Sequence, residues 1–202
     1  MADRTQLRAE MRSRRRSLAP ALRQAAEQRI AQRLAGLNTL RQSRRIACYL
    51  ANDGEIDLSQ TIARLWARHR RCYLPVLDHL NGNSLWFAPY TPDTPLVVNC
   101  YGIPEPDVAT RHYLRARSLE LILAPLVAFD TQGNRLGMGG GYYDRTLQFL
   151  QRRHCWLRPR LLGIAYDFQR LPALPRQPWD VPLHGIITDQ CYYPVPRDGG
   201  QR

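Results

Sequence analysis

The residues most able to do chemistry are gathered between positions 130 and 145, where the chain reads DTQGNRLGMGGGYYDR. Five glycines fall within nine residues, at 133, 137, 139, 140 and 141. Glycine permits positive φ and close backbone approach, so their N–H groups can converge on an anion at a helix N-terminus. Arg135 adds a cation to the same loop, and these are the components of a phosphate site. A Walker loop is excluded because it ends in Gly-Lys-Ser/Thr and the chain contains no lysine. A dinucleotide fingerprint starting at Gly137 and Gly139 needs glycine at 142, where Tyr142 stands. A glycine-rich turn that only covers a sheet edge is disfavoured, since each unneeded glycine costs up to ~1 kcal/mol in ordering.

The flanks must position this loop. Residues 119–129 are a nearly unbroken apolar run, read as one strand buried on both faces of a parallel sheet. Tyr143, Leu147 and Leu150 then recur at helical spacing, which makes the stretch a strand-to-loop-to-helix transition. Upstream, residues 3–18 read as a helix with Leu7, Met11 and Leu18 on one side and Arg4 and Arg8 one turn apart. Pro20 restarts a second helix with a stripe of Leu22, Ala26, Ile30, Leu34 and Leu37 near the breaker Gly36. Residues 46–50 form a short strand, a loop follows over 51–56, and a helix from about Asp57 buries Leu58, Ile62 and Leu65. Strands are expected at 71–77, 85–88, 160–166 and 186–188, an extended segment at 101–106, and a short helix within 107–116. The order predicts one α/β three-layer domain over residues 1–202, with a mostly parallel sheet and the basic helices of residues 1–40 packed on its core. Loops after parallel strands gather at one sheet edge, where ligands bind, which places Leu50 and Glu55 well.

At 202 residues and 23.3 kDa the chain suits a single core, and 44% hydrophobic with 23% charged residues is ordinary for a soluble protein. No apolar run reaches the ~20 residues of a membrane span, and the arginine-rich start lacks a secretory h-region. A cytoplasmic location is therefore expected, with the five scattered cysteines (48, 72, 100, 155 and 191) as reduced thiols. All 29 basic residues are arginine and the formal charge is +12. Residues 1–45 hold twelve arginines against Asp3, Glu10 and Glu27, an excess of nine. That charge suits polyanions, and composition does not choose between nucleic acid and a nucleotide. There is no Gly-x-Ser-x-Gly or His-Glu-x-x-His, and His69, His79, His112, His154 and His184 are scattered. Chemistry by positioning and charge neutralisation fits better than a covalent protein nucleophile.

The loop GNRLGMGGGYYDR resembles the signature of the 5-formyltetrahydrofolate cyclo-ligase family, also called 5,10-methenyltetrahydrofolate synthetases. The likeness runs from position 4 to about 189 and implies a fold similar to the NagB/RpiA/CoA-transferase type. It implies closure of 5-formyltetrahydrofolate to 5,10-methenyltetrahydrofolate by a carbon–nitrogen ring-forming ligase of one-carbon metabolism. ATP and Mg²⁺ would be required, ADP and phosphate released, and the formyl oxygen phosphorylated on the way. RTQLR matches the basic opening helix that reaches the nucleotide, with Arg4 standing where members carry lysine. By the resemblance, ATP meets Arg4, Arg8, Arg135, Leu136, Gly137, Met138, Gly139, Gly140, Gly141, Tyr142 and Tyr143. The folate, with or without a polyglutamate tail, meets Leu50, Glu55, Met138, Gly139, Gly140, Gly141 and Tyr142. Arg135 is the catalytic cation, and Asp144 with Asp189 would hold the metal. The Glu-Pro element at 105–106 lies beside the folate site in members, and Glu105 is assigned no catalytic role. A monomer acting on small molecules is expected. The rivals are a nucleic-acid-binding protein using the N-terminal arginines, and a sugar-phosphate or CoA enzyme of the same fold.

Overall fold

The computed structural model describes residues 3–78, 84–151 and 158–196. Two helices lead, α1 (Arg4–Arg16) and α2 (Pro20–Gly36), followed by the short α3 (Asn38–Gln42). Asp3 caps α1 by accepting from Thr5 N at 3.1 Å, and Pro20 starts α2 with its φ already suited to the helix. Then come β1 (Arg45–Ala47), α4 (Ser59–Ala67), β2 (Arg71–Leu77), β3 (Leu85–Tyr90), and a hairpin of β4 (Leu96–Val98) and β5 (Pro104–Pro106). The second half holds β6 (Leu121–Pro125), β7 (Ala128–Phe129), β8 (Arg135–Leu136), α5 (Tyr142–Leu147), β9 (Arg160–Ile164), β10 (Gly185–Ile187) and β11 (Tyr192–Pro194).

The main sheet runs β11-β10-β9-β6-β1-β2-β3. Its five inner strands are parallel, and β3 and β11 close the edges antiparallel. Side-chain alternation divides the core, as a period of two requires. Ile46, Leu121, Leu123 and Leu162 face Ile30 and Leu34 of α2 and Ile62 and Leu65 of α4. Ala47, Ile122, Ala124 and Leu161 face Leu147 of α5, Phe129, Val181 and Leu183. The result is a single α/β domain with a mostly parallel mixed sheet. From β1 the chain moves outward to β2 and β3, then crosses back to lay β6 on the other side of β1. Such a reversal opens a crevice at the carboxyl ends of the two central strands.

The apolar run of 119–129 is buried as expected but is not one strand. β6 ends at Pro125, and β7 turns away to pair antiparallel with β8. Side chains replace the missing ladder: the Leu126 carbonyl accepts from Arg15 and Gln169, and the Val127 carbonyl from Gln169. In the turn, Asp130 Oδ1 accepts from Gln132 N and Asn134 N, each at 3.0 Å. Gly133 has φ +88°, and a Cβ there would lie 2.9 Å from the Leu183 carbonyl. This glycine therefore serves the hairpin and not an anion.

Other departures are local. Residues 107–116 hold a 3₁₀ turn at Thr110–His112, and a second follows at Ala116–Ser118; between them Leu114 bridges to Phe87 through two backbone bonds. α5 has six residues and passes into a 3₁₀ turn at Gln148–Leu150. Leu22 is 61% exposed and leaves the α2 stripe. β4 and β11 were not anticipated among proline-flanked coil. Cys48, Cys72, Cys100 and Cys191 are free, while His79, His154 and Cys155 lie outside the described residues. Among the described residues no helix is long and apolar enough to cross a membrane.

Candidate active site

A cleft of about 780 Å³ opens where β1 and β6 end. Arg4, Arg8 and Arg12 of α1 form one wall, and Tyr49, Leu50, Asp53 and Glu55 after β1 form another. Gly137–Asp144 with Arg135 closes a third side, and Tyr101, Glu105, Trp179 and Asp180 are also in the lining. The structure thus brings together Arg4, Arg8, Leu50, Glu55, Arg135, Gly137, Met138, Gly139, Gly140, Gly141, Tyr142, Tyr143 and Asp144. Two candidates fall elsewhere. Leu136 is buried with Met11, Val127 and Ala128 under α1, because β8 alternates and Arg135 takes the cleft side. Asp189 is absent from the lining: its Oδ1 accepts from Asp167 N and its Oδ2 from Gln190 Nε2, both at 2.8 Å. It stabilises a turn.

The expected side of α1 docks, with Met11 buried and Leu7 and Leu18 packed against the core, but arginines share the buried face. Arg4, Arg8, Met11 and Arg15 follow an i, i+4, i+7, i+11 spacing and so share one face. Met11 and Arg15 on it are buried. Arg8 Nε donates to the Gly137 carbonyl at 2.9 Å, and its guanidinium lies over Gly139, whose φ is +109°. Burial and then the charge of Arg4 lower the Arg8 pKa. Arg4 Nη2 is 3.5 Å from Asp180 Oδ2.

The glycine loop is braced by side chains. Arg145 donates to the Gly140 carbonyl and stands 5.6 Å over the Tyr142 ring, and the Tyr142 hydroxyl meets that of Tyr101 at 2.8 Å. Arg135, buried, donates from Nη2 to Asp144 Oδ1 at 2.5 Å and from Nη1 to the Val181 carbonyl. Asp144 Oδ1 also accepts from Val181 N at 3.1 Å. Asp180 uses Oδ2 for Gln177 N and Arg4. Each aspartate thereby keeps its other oxygen out of these bonds. Among the described residues no cluster of three or more His, Cys, Asp or Glu could hold a metal. Asp144 and Asp180 both line the cleft, and carboxylates are the ligand type that a hard cation takes.

On the opposite wall Glu55 is mostly buried, and Asn52 N donates to its Oε2 at 3.2 Å. Burial pushes its carboxyl up to about 7, against the charge of Arg15. Neighbouring Asp53 behaves oppositely: burial raises it, but bonds from Arg12, Arg16 and Arg15 hold it at about 2. Glu105 is buried, and its Oε1 accepts from Leu77 N and from Asn99 Nδ2, tying the β4–β5 hairpin to the end of β2.

Sequence reasoning missed Asp180, Asp53, Arg15, Tyr101 and Trp179. Arg15 carried a usable signal, its heptad spacing from Arg8 on the Met11 face. Asp180 and Trp179 sit in proline-rich coil that has no periodicity to read.

A model of the 5-formyltetrahydrofolate cyclo-ligase family matches residues 1–189. The chain is similar to the 5-formyltetrahydrofolate cyclo-ligase of Haemophilus influenzae, with 45% identity over 148 residues, 73% of this chain and 77% of that one. The Escherichia coli K12 enzyme of the same name is 43% identical over 143 residues, 71% and 76% of the two chains. The solved structure of Aquifex aeolicus 5,10-methenyltetrahydrofolate synthetase superposes with a TM-score of 0.80 at 29% identity, covering 98% of this chain and 95% of that one. The glycine loop, the basic helix facing it and the whole architecture are thus accounted for together, and the chain belongs to the 5-formyltetrahydrofolate cyclo-ligase family.

Proposed function

We propose that this enzyme closes 5-formyltetrahydrofolate to 5,10-methenyltetrahydrofolate, using ATP and Mg²⁺ and releasing ADP and phosphate. The observation that carries this reading is one cleft with Arg4 and Arg8 on one wall, Leu50 and Glu55 on another and the glycine loop on a third. A triphosphate and a heterocycle rich in N–H donors can meet there with their reacting ends together. A formamide carbon is a poor electrophile because nitrogen donates into it and its oxygen leaves badly. Transfer of the γ-phosphoryl group to the formyl oxygen removes both obstacles. N10 of the same folate then attacks the formyl carbon at high effective concentration, phosphate departs with the formyl oxygen, and N10 loses its proton.

Arg4 and Arg8 bind the nucleotide, and the N–H groups of residues 137–141 line its phosphates. Arg135, held rigidly by Asp144 and Val181, meets charge that grows on the phosphoryl group in the transition state. Asp144 and Asp180 would hold Mg²⁺, which when bound neutralises phosphate oxygens. Glu55 accepts from the folate ring, with Leu50 beside it. The same proposal places the enzyme in the reducing cytoplasm, as a monomer with free thiols.

A nucleic-acid role for the N-terminal arginines is less well supported. It leaves the glycine loop with Tyr142, Tyr143 and Asp144 in the same cleft unexplained. Mixing protein, Mg-ATP and 5-formyltetrahydrofolate should give the near-ultraviolet absorbance of the conjugated methenyl product. No absorbance change with folded protein would refute the proposal.

A further inference from the structure

A guanidinium removed from water needs counter-charge and acceptors around it. Arg15 is fully buried. Its Nη2 donates to Asp53 Oδ2 at 2.9 Å, its Nη1 donates to the Leu126 carbonyl at 3.2 Å, and Nη1 lies 3.8 Å from Glu55 Oε1. Leu126 follows β6, while Asp53 and Glu55 follow β1. One side chain therefore joins the two strand ends between which the cleft opens. Arg15 is not among the residues lining that cleft.

We propose that Arg15 is a positioning residue that holds the Glu55 carboxyl in the folate subsite and ties it to the helix carrying Arg4 and Arg8. The inference rests on the assignment of Glu55 to folate above. Two features raise it beyond packing. Asp53 is shared by Arg12, Arg15 and Arg16 at 2.6, 2.9 and 2.5 Å, and of these three guanidiniums it is Arg15 that also approaches Glu55, at 3.8 Å. The titratable groups facing Glu55 are Arg15 from α1, Asp53 on its own loop, Tyr49 after β1 and Tyr143 from α5. Of these, Arg15 alone stabilises the ionised form, against burial that favours the neutral one. Arg8 and Arg15 are two turns apart, about 10 Å along the helix, so a shift of α1 at the nucleotide end reaches Glu55.

The test is the dissociation constant of 5-formyltetrahydrofolate, without ATP, measured from pH 5.5 to 9 for wild type, Arg15→Gln, Glu55→Gln and the double variant. Ionised Glu55 is the form that accepts from the ligand, so wild-type binding should weaken as pH falls through about 7. Arg15→Gln should move that midpoint upward; a rise of one pKa unit would weaken binding about fivefold at pH 7 and about tenfold well below it. Glu55→Gln should bind weakly with a flat profile, and Arg15→Gln should then add little. An unshifted midpoint in Arg15→Gln, with Glu55→Gln weak and flat, would overturn the role of Arg15 alone. Wild-type affinity and pH dependence in Glu55→Gln would instead remove the underlying assignment. If circular dichroism shows Arg15→Gln unfolded, Arg15→Lys serves, since lysine keeps the cation but loses the fork. It should weaken binding with the midpoint kept, and wild-type affinity would overturn the proposal.

Discussion

Arg135 Nη2 and Asp144 Oδ1 stand 2.5 Å apart, so the cation assigned to the phosphoryl group and a carboxylate assigned to the metal form one ion pair. Their roles are therefore coupled. Arg135→Ala should lower kcat far more than it raises the folate KM, because its charge serves the transition state. It should also cost stability, up to about 3–5 kcal/mol if Asp144 cannot rehydrate. Asp144→Asn should raise the Mg²⁺ concentration needed for half-maximal rate. The double variant should lose less than the two single losses combined, and strict additivity in kcat would break the coupling.

Asp180 and Asp189 separate the metal assignment from a structural one. Asp180 lines the cleft beside Arg4, whereas Asp189 bonds the backbone of Asp167. Asp180→Asn should shift the Mg²⁺ requirement upward, and Asp189→Asn should lower Tm with the Mg²⁺ titration unchanged. The reverse pattern would restore Asp189 to the metal.

That Asp189 lies outside the cleft lining is a matter of register. The likeness of motifs reaches it, but a strand end in proline-rich coil fixes neither depth nor direction, and a turn bond to Asp167 N claims its carboxylate. The glycine loop was legible because residue type itself carries the geometry: Gly139 and Gly141 adopt positive φ, and Arg135 and Asp144 meet across the loop. The parallel strands were legible from apolar runs. The split of 119–129 was not, since burial alone cannot tell a ladder from carbonyls satisfied by Arg15 and Gln169. On α1, arginines occupied positions of the buried face, which a hydrophobic pattern reads as solvent-facing.

Arg8 tests the nucleotide wall. Arg8→Ala should raise the ATP KM and leave folate affinity nearly unchanged, because its bond is to Gly137 and its neighbour is Arg4. Replacing Arg4 and Arg8 together with Glu should be more severe. Loss of salt-sensitive DNA or RNA binding with an unchanged ATP KM would assign these arginines to a polyanion instead.

Asp53 should govern acid stability. Its folded carboxyl sits at about 2, below its usual 3.8, so the unfolded chain takes up a proton first as pH falls. Its contribution is present above about 4 and is lost on descending through about 2. Asp53→Asn, which tolerates the left-handed φ of +52°, should flatten the chemical-denaturation stability across that window. An acid limb as steep as that of wild type would show that the three arginines do not act through Asp53.

The most direct measurement follows ADP and the methenyl product in the same reaction, with 5-formyltetrahydrofolate or Mg²⁺ withheld in turn. If the cleft transfers phosphoryl to the formyl oxygen, the two products should rise one for one, and ADP should stay at baseline when either component is missing. ADP released at the same rate without folate, or methenyl product formed without ADP, would contradict that chemistry.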